Sequence, residues 1–154
     1  MKFLIRHHDE LGLPYAFPHK LSFIGSPLLH GKALLMIDEA SYEFVGASGF
    51  VYGTGADEFT DRSLCQIEIA FLRQDARCTM TFIRGLRALL ELIRGEAGDT
   101  DVLTVQFWLT AMQGRAGVFA KLLALPGAEA IPEGGMLRCV IPMQTLERLC
   151  ARFE

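Results

Sequence analysis

Ser63-Leu64-Cys65-Gln66-Ile67-Glu68-Ile69-Ala70-Phe71-Leu72 alternates with period two and is rich in β-favouring side chains. Leu64, Gln66, Glu68 and Ala70 fall on one face and Cys65, Ile67, Ile69 and Phe71 on the other, which predicts a strand. The polar turn Arg73-Gln74-Asp75-Ala76-Arg77 follows. Met80, Ile83, Leu86, Leu90 and Ile93 then recur at spacings of three and four, the pattern of a helix with one buried face, with Thr79 as its expected N-cap and Gly95 as its stop. Past Gly98-Asp99-Thr100-Asp101, the run Val102 to Leu109 reads as a second, nearly continuous buried strand. Strand, helix, strand in this order makes a βαβ unit with parallel strands and a right-handed crossover.

Upstream, Ala33 to Asp38 is an apolar strand and Glu43 to Tyr52 its antiparallel partner across the turn Glu39-Ala40-Ser41. Gly46 and Gly49 inside that partner predict a bulge or the close approach of a backbone or ligand. The fold class expected is therefore α/β with a mixed sheet, antiparallel at its N-terminal side and parallel at the βαβ core. Lys2 to Arg6 is read as a short first strand. Pro14, Pro18 and Pro27 exclude a long helix between Leu11 and His30, leaving a short one over His19 to Ile24 in a loop-rich region of the kind that walls a substrate groove. Gly53 to Arg62 is a polar loop. Downstream, Met112-Gln113-Gly114-Arg115 opens a helix carrying Val118, Phe119, Leu122 and Leu123 on one face and ended by Pro126-Gly127. A hairpin over Ala128 to Ile131 and Met136 to Ile141 turns around Pro132-Glu133-Gly134-Gly135. Met143 to Phe153 is an amphipathic helix that packs on the sheet or supplies a homodimer contact.

With 154 residues, about half of them apolar, the chain is expected to be one domain, 1–154, with a proper core. A net charge of −3 offers no global attraction to nucleic acid or anionic membrane. No segment has the apolar length of a membrane span, and the N-terminal apolar run is too short for a signal peptide. Cys65, Cys78, Cys139 and Cys150 show no metal-ligand spacing and read as free thiols, so a cytoplasmic protein is expected. His7-His8-Asp9-Glu10 places its neighbouring side chains on opposite faces and reads as a solvated turn, so no metal site is assigned.

Several stretches together resemble the GCN5-related N-acetyltransferase (GNAT) superfamily, over roughly Leu13 to Ile141. Ala33 to Gly46 looks like that family's hairpin with an acidic turn. Gln66-Ile67-Glu68-Ile69-Ala70-Phe71-Leu72 is similar to its fourth strand, and Arg77 with the helix through Leu86-Arg87-Ala88-Leu89-Leu90-Glu91-Leu92 to its cofactor motif. Gln113-Gly114-Arg115-Ala116 stands where the family has Asn-x-x-Ala. The resemblance implies an acyl-CoA-dependent N-acyltransferase that passes an acetyl group from acetyl-CoA to a primary amine of a small molecule or protein by direct attack. It implies that the fourth and fifth strands splay so that the pantetheine arm pairs with freed backbone groups, and that pyrophosphate sits at the following helix N-terminus. Cofactor contacts would then come from Ala70, Phe71, Leu72, Arg73, Arg77, Cys78, Thr79, Met80, Thr81, Phe82, Gln113 and Phe119.

The sequence departs from the family pattern Arg/Gln-x-x-Gly-x-Gly/Ala, since Arg77-Cys78-Thr79-Met80-Thr81-Phe82 has neither glycine, and a chain at Met80 and Phe82 stands where phosphate approaches the backbone. The family's tyrosine acid falls near Ala120 and Phe119, which have no hydroxyl. Glu68, mid-strand among apolar neighbours, is the candidate base, against the alternatives of an ion pair or a solvated position. Asp38, Glu39 and Glu43 read as turn charges, His19 and His30 as surface residues, and Cys65 and Cys78 as thiols without a histidine partner. Arg73, Arg77, Arg84 and Arg87 form a solvated helix face or bind an anion. The second reading of the whole chain is a catalytically inactive GNAT-fold binding or structural module, of phage or mobile-element origin.

Overall fold

The computed structural model describes residues 1–95 and 102–153. In chain order the elements are α1 (Lys2–Arg6), α2 (Phe17–His30), β1 (Gly31–Ile37), β2 (Phe44–Tyr52), β3 (Leu64–Leu72), α3 (Thr79–Arg94), β4 (Thr104–Leu109), α4 (Gly117–Leu123), β5 (Glu129–Glu133), β6 (Met136–Pro142) and α5 (Met143–Ala151). The strands form one sheet in the order β1-β2-β3-β4-β6-β5, antiparallel throughout except for the parallel pair β3 and β4. This is the mixed α/β architecture expected from the sequence.

Helix α3 buries Ile83, Leu86, Leu89, Leu90 and Ile93 and ends at Gly95, whose φ of +71° suits a residue without a side chain. Its N-cap is Cys78 rather than Thr79, which is already helical. On this face of the sheet the core joins Phe50, Tyr52, Cys65, Val105, Ile141, Met143 and Leu146, and Arg94 pairs with Glu147 at 2.7 Å to tie α3 to α5. On the opposite face α1 and α2 pack Leu4 and Ile24 onto Ala47, Ile69 and Phe71.

Three sequence expectations are corrected. Lys2–Arg6 is a helix, not a strand: Leu4 is buried against the sheet, and five residues are too few for periodicity to separate the two patterns. The region 11–30 holds a helix of 14 residues. Pro18 sits in its first turn, where no N–H is required, whereas Pro27 lies inside the helix and forgoes one intrahelical bond. The buried ring of Pro27 instead packs against β2, where a Cβ built on Gly49 would lie 2.6 Å from its Cγ. Third, β3 does not keep one alternation. Gly49 pairs with Ile69 and Phe50 with Ile67, so Glu68 is the extra residue of a β-bulge. Cys65 and Ile67 face the α3 core while Ile69 and Phe71 face α1 and α2, because the bulge resets the pleat by one residue.

Smaller differences follow from local chemistry. Met112 to Arg115 leads into a short 3-10 turn, Gln113–Arg115, before α4 begins at Gly117. Pro132 lies inside β5, which tolerates it as an edge strand, and the reversal is made by Gly134 and Gly135 at φ of +59° and +80°. The turn expected at Gly98 to Asp101 lies outside the described residues. No described helix is long and apolar enough to cross a membrane.

Candidate active site

The parallel pairing of β3 with β4 covers three rungs, Leu64 with Thr104, Cys65 with Val105 and Gln66 with Gln106. Beyond Gln106, β4 runs on to Leu109 paired to β6 alone, and β3 runs on to Leu72 paired to β2 alone. The two strands thus part into a wedge whose main-chain groups lack ladder partners on the facing strand. Glu68 sits where the wedge opens, at the bulge that turns its side chain toward α2.

There the carboxylate accepts a hydrogen bond from Ser26 of α2 at 3.2 Å. Burial among apolar neighbours pushes its pKa up, against the opposing pull of hydrogen bonds from Gln66 and Ser26. Gln106, 5% exposed, donates from Nε2 to Gln66 Oε1 at 2.7 Å, which ties β4 to β3 at the last rung before the wedge. Sequence reading missed Ser26, Gln66 and Gln106 as site residues. Gln106 is the one signal that was available, an amide inside an otherwise apolar strand.

The candidate cofactor residues divide into three groups. Ala70 is exposed, Phe71 is buried under the Phe3 and His7 rings, and Leu72 gives its carbonyl to Arg77 Nε at 2.8 Å. Arg73 turns away: Asp75 holds it at 2.6 Å and Glu43 at 3.1 Å, and both carboxylates raise its pKa. In the first turn of α3, Phe82 makes the first bond of the helix to Cys78 O at 3.0 Å, so the N–H groups of Thr79, Met80 and Thr81 precede the intrahelical ladder. Phe82 itself packs on the core, while Met80 is 43% exposed. The Cys78 thiol lies 3.1 Å from Thr81 Oγ1, which with the Thr81 and Met80 amides and Arg84 lowers its pKa.

The remaining two candidates lie beyond β4. Gln113 Oε1 accepts the Thr110 N–H at 2.8 Å, and Gly12, at φ +68°, brings the α1–α2 connection against the Gln113 side chain. Phe119 on α4 lies 6.4 Å from the Phe107 ring. His7 to Glu10 forms a turn in which His7 Nδ1 meets Glu10 at 2.8 Å. Among the described residues no cluster of histidine, cysteine and carboxylate side chains could hold a metal.

No protein-family model and no curated protein matches the sequence. Solved structures do. An acetyltransferase of the GNAT family from Staphylococcus aureus Mu50 superposes with a TM-score of 0.63 at 10% identity over 91% of this chain and 88% of that one. The aminoglycoside acetyltransferase AAC(6')-Ib, in complex with coenzyme A and kanamycin, gives 0.58 at 20% identity over 96% and 89%. The chain has the GNAT fold. A chimera of the spermidine N-acetyltransferase SpeG from Vibrio cholerae and hSSAT gives 0.58 at 10% identity over 96% and 92%. At the α3 N-terminus this chain carries Met80 and Phe82 and no glycine, and Arg73 is tied to Asp75 and Glu43.

Proposed function

We propose that the chain is an acyl-CoA-dependent N-acyltransferase, with acetyl-CoA as donor and a primary amine as acceptor. The observation that carries this reading is the parting of β3 from β4 immediately past Gln66 and Gln106, with the bulged Glu68 at its apex. The residues present fit the donor: unpaired strand groups for the two pantetheine amides, and the Thr79, Met80 and Thr81 N–H groups, aided by Arg77, for pyrophosphate. Acetyl-CoA supplies an activated thioester carbonyl. Wedge-facing N–H groups of β3 polarise that carbonyl, and Glu68, whose proton affinity burial raises, takes a proton from the attacking amine. Fold neighbours solved with coenzyme A and with kanamycin or spermine favour a small-molecule amine over a protein acceptor. Action as one domain over residues 1–154 in the cytoplasm belongs to the same proposal, as does a homodimer, whose contact is not the apolar face of α5, because that face is spent on α3 and the sheet.

A second reading, a GNAT-fold module without catalysis, is favoured by a specific feature: Arg73 is neutralised by Asp75 and Glu43, and neither Phe119 nor Ala120 offers a proton donor. Calorimetric titration with acetyl-CoA, followed by turnover of an amine panel by the native chain and by Glu68→Gln, separates the two. The enzyme reading expects saturable binding by both proteins and a loss of roughly 10²–10⁴-fold in kcat for Glu68→Gln. Absence of binding at millimolar acetyl-CoA sinks it.

A further inference from the structure

The sheet has two edges, and only one of them is guarded. At one end β5 is five residues long, contains Pro132, whose nitrogen cannot donate to another strand, and is bounded by the exposed Glu129 and Glu133. At the other end β1 is seven residues long, with no proline and a single charge, Lys32. Among the described strands β1 pairs with β2 alone, so every second N–H and C=O along its outer side lacks a ladder partner. Leu34 packs on the α3 core, and a Cβ on Gly85 of α3 would lie 3.0 Å from the Met36 sulfur, so the even-numbered residues of β1 face α3. Ala33, Leu35 and Ile37 face the other way and all are exposed, Leu35 at 46% and Ile37 at 53%. Phe44, which pairs with Ile37 across β2, adds an exposed ring beside them. Apolar side chains exposed singly are ordinary, whereas a row of them along an unpaired edge is a surface suited to another strand.

The strand that fits is β1 itself. A two-fold axis normal to the sheet sets two copies of β1 antiparallel and keeps the two sheet faces in common. With the axis at Leu35, Leu35 meets its own equivalent, Ala33 meets Ile37, Leu34 meets Met36, and Lys32 lies opposite Asp38 at both ends. A slip of two residues in either direction sets Lys32 against Met36 or Asp38 against Leu34, which covers a charge without a partner. Asp38 Oδ1 accepts the Ala40 and Ser41 N–H groups at 2.7 and 3.3 Å, so the carboxylate is already held at the end of the strand. We infer that the β1 edge is the homodimer contact of this chain, joining two six-stranded sheets into one through the pairing centred on Leu35. Because β5 is guarded, the association closes at two copies. β2 lies between β1 and the wedge strand β3, so the pairing leaves each wedge open and does not rest on the proposed chemistry.

The test is analytical ultracentrifugation of the native chain and three variants. At about 100 µM, where an association of micromolar Kd is nearly complete, the native chain should sediment at twice its mass of 17.1 kDa. Leu35→Lys, at an exposed position, should keep its circular dichroism and weaken association by about a hundredfold or more, since it sets two like charges together at the axis. Lys32→Asp and Asp38→Lys should each weaken it by about tenfold, and an equal mixture of the two should recover native affinity, because both cross-strand charge pairs are then again of opposite sign. Loss of the Asp38 turn cap alone could not produce that recovery. A dimer indifferent to Leu35→Lys, or a mixture that fails to recover, puts the contact elsewhere and overturns the inference. A native chain that stays monomeric leaves the edge to a strand of another protein and overturns self-pairing; turnover of an amine by that monomer would leave the proposed reaction standing.

Discussion

Gly49→Ala should loosen the site from a distance, because it pushes on the helix that carries Ser26. A Cβ at Gly49 would lie 2.6 Å from Pro27 Cγ and 2.9 Å from Pro27 Cβ. Carbon atoms pack at about 3.5–4.0 Å, so something must yield by roughly an ångström. The proline ring is buried and has no rotamer to escape into, so α2 itself must lift from β2. Overpacking of this kind costs about 1–3 kcal/mol, against roughly 0.4–1 kcal/mol gained from a stiffer unfolded chain. The net loss, about 1.3 kcal/mol at the middle of both ranges, corresponds to a melting temperature lower by roughly 2–5 °C for a domain of this size. Ser26 is the residue before Pro27 and holds Glu68 at 3.2 Å, near the limit of a hydrogen bond, so a shift of half an ångström releases the carboxylate. Urea denaturation and an NMR titration of Glu68 read both effects, the second as a further rise in its pKa. A Gly49→Ala chain as stable as the native one, with Glu68 titrating unchanged, refutes the claim that Pro27 docking holds Ser26 in place.

Burial raises the Glu68 pKa, so in the interval between its unfolded and folded values the native state binds more protons and stability falls as pH rises through that interval. Glu68→Gln is therefore expected to melt higher than the native chain at pH 7–8, with the gap closing toward pH 4; a gap independent of pH would contradict the shift. Of the four thiols, Cys78 is exposed with its pKa lowered, first by Thr81, while burial raises those of Cys65, Cys139 and Cys150. One equivalent of Ellman's reagent should react in the folded chain and three more only on unfolding, and acetyl-CoA should slow the first. Labelling of Cys78 at an unchanged rate under saturating acetyl-CoA would place the pyrophosphate away from the α3 N-terminus.

Where a pattern is long and local, the sequence discloses it. Ile83, Leu86, Leu90 and Ile93 mark α3 to within a residue, and the antiparallel hairpin of β1 and β2 follows from two apolar runs and a polar turn. The bulge at Glu68 was not legible there, because it is a property of the β2–β3 register rather than of β3, and every residue from Ile67 to Phe71 fits an unbroken strand. The same holds for Ser26, which reaches Glu68 across 42 positions. Helix α2 was hidden because Pro18 falls in a first turn that needs no N–H, and because Pro27 forgoes a helical bond yet packs its buried ring on β2, a contact between distant parts of the chain. The arginines carry the same lesson at the level of charge. Arg73 and Arg77 look alike in sequence, yet Arg73 is held by two carboxylates, one of them 30 positions away, while Arg77 reaches back only to a carbonyl.

If the proposed donor binds, whether the wedge transfers an acyl group or only holds one turns on its anion end more than on Glu68. A carboxylate kept in a setting that raises its pKa works against stability at neutral pH, and a purely structural module has no use for that penalty. The anion end is a different matter. With Arg73 neutralised in place, a pyrophosphate there meets the helix dipole, which supplies roughly 0.3–1 kcal/mol, and the amides of Thr79, Met80 and Thr81, each of the order of 1 kcal/mol. These are short-range terms that salt screens less than an arginine clamp on the surface. Donor affinity should then rest chiefly on backbone pairing along the wedge, with Arg77 as its one salt-sensitive contribution. That combination suits an enzyme that releases coenzyme A readily after transfer better than a scaffold that must retain it.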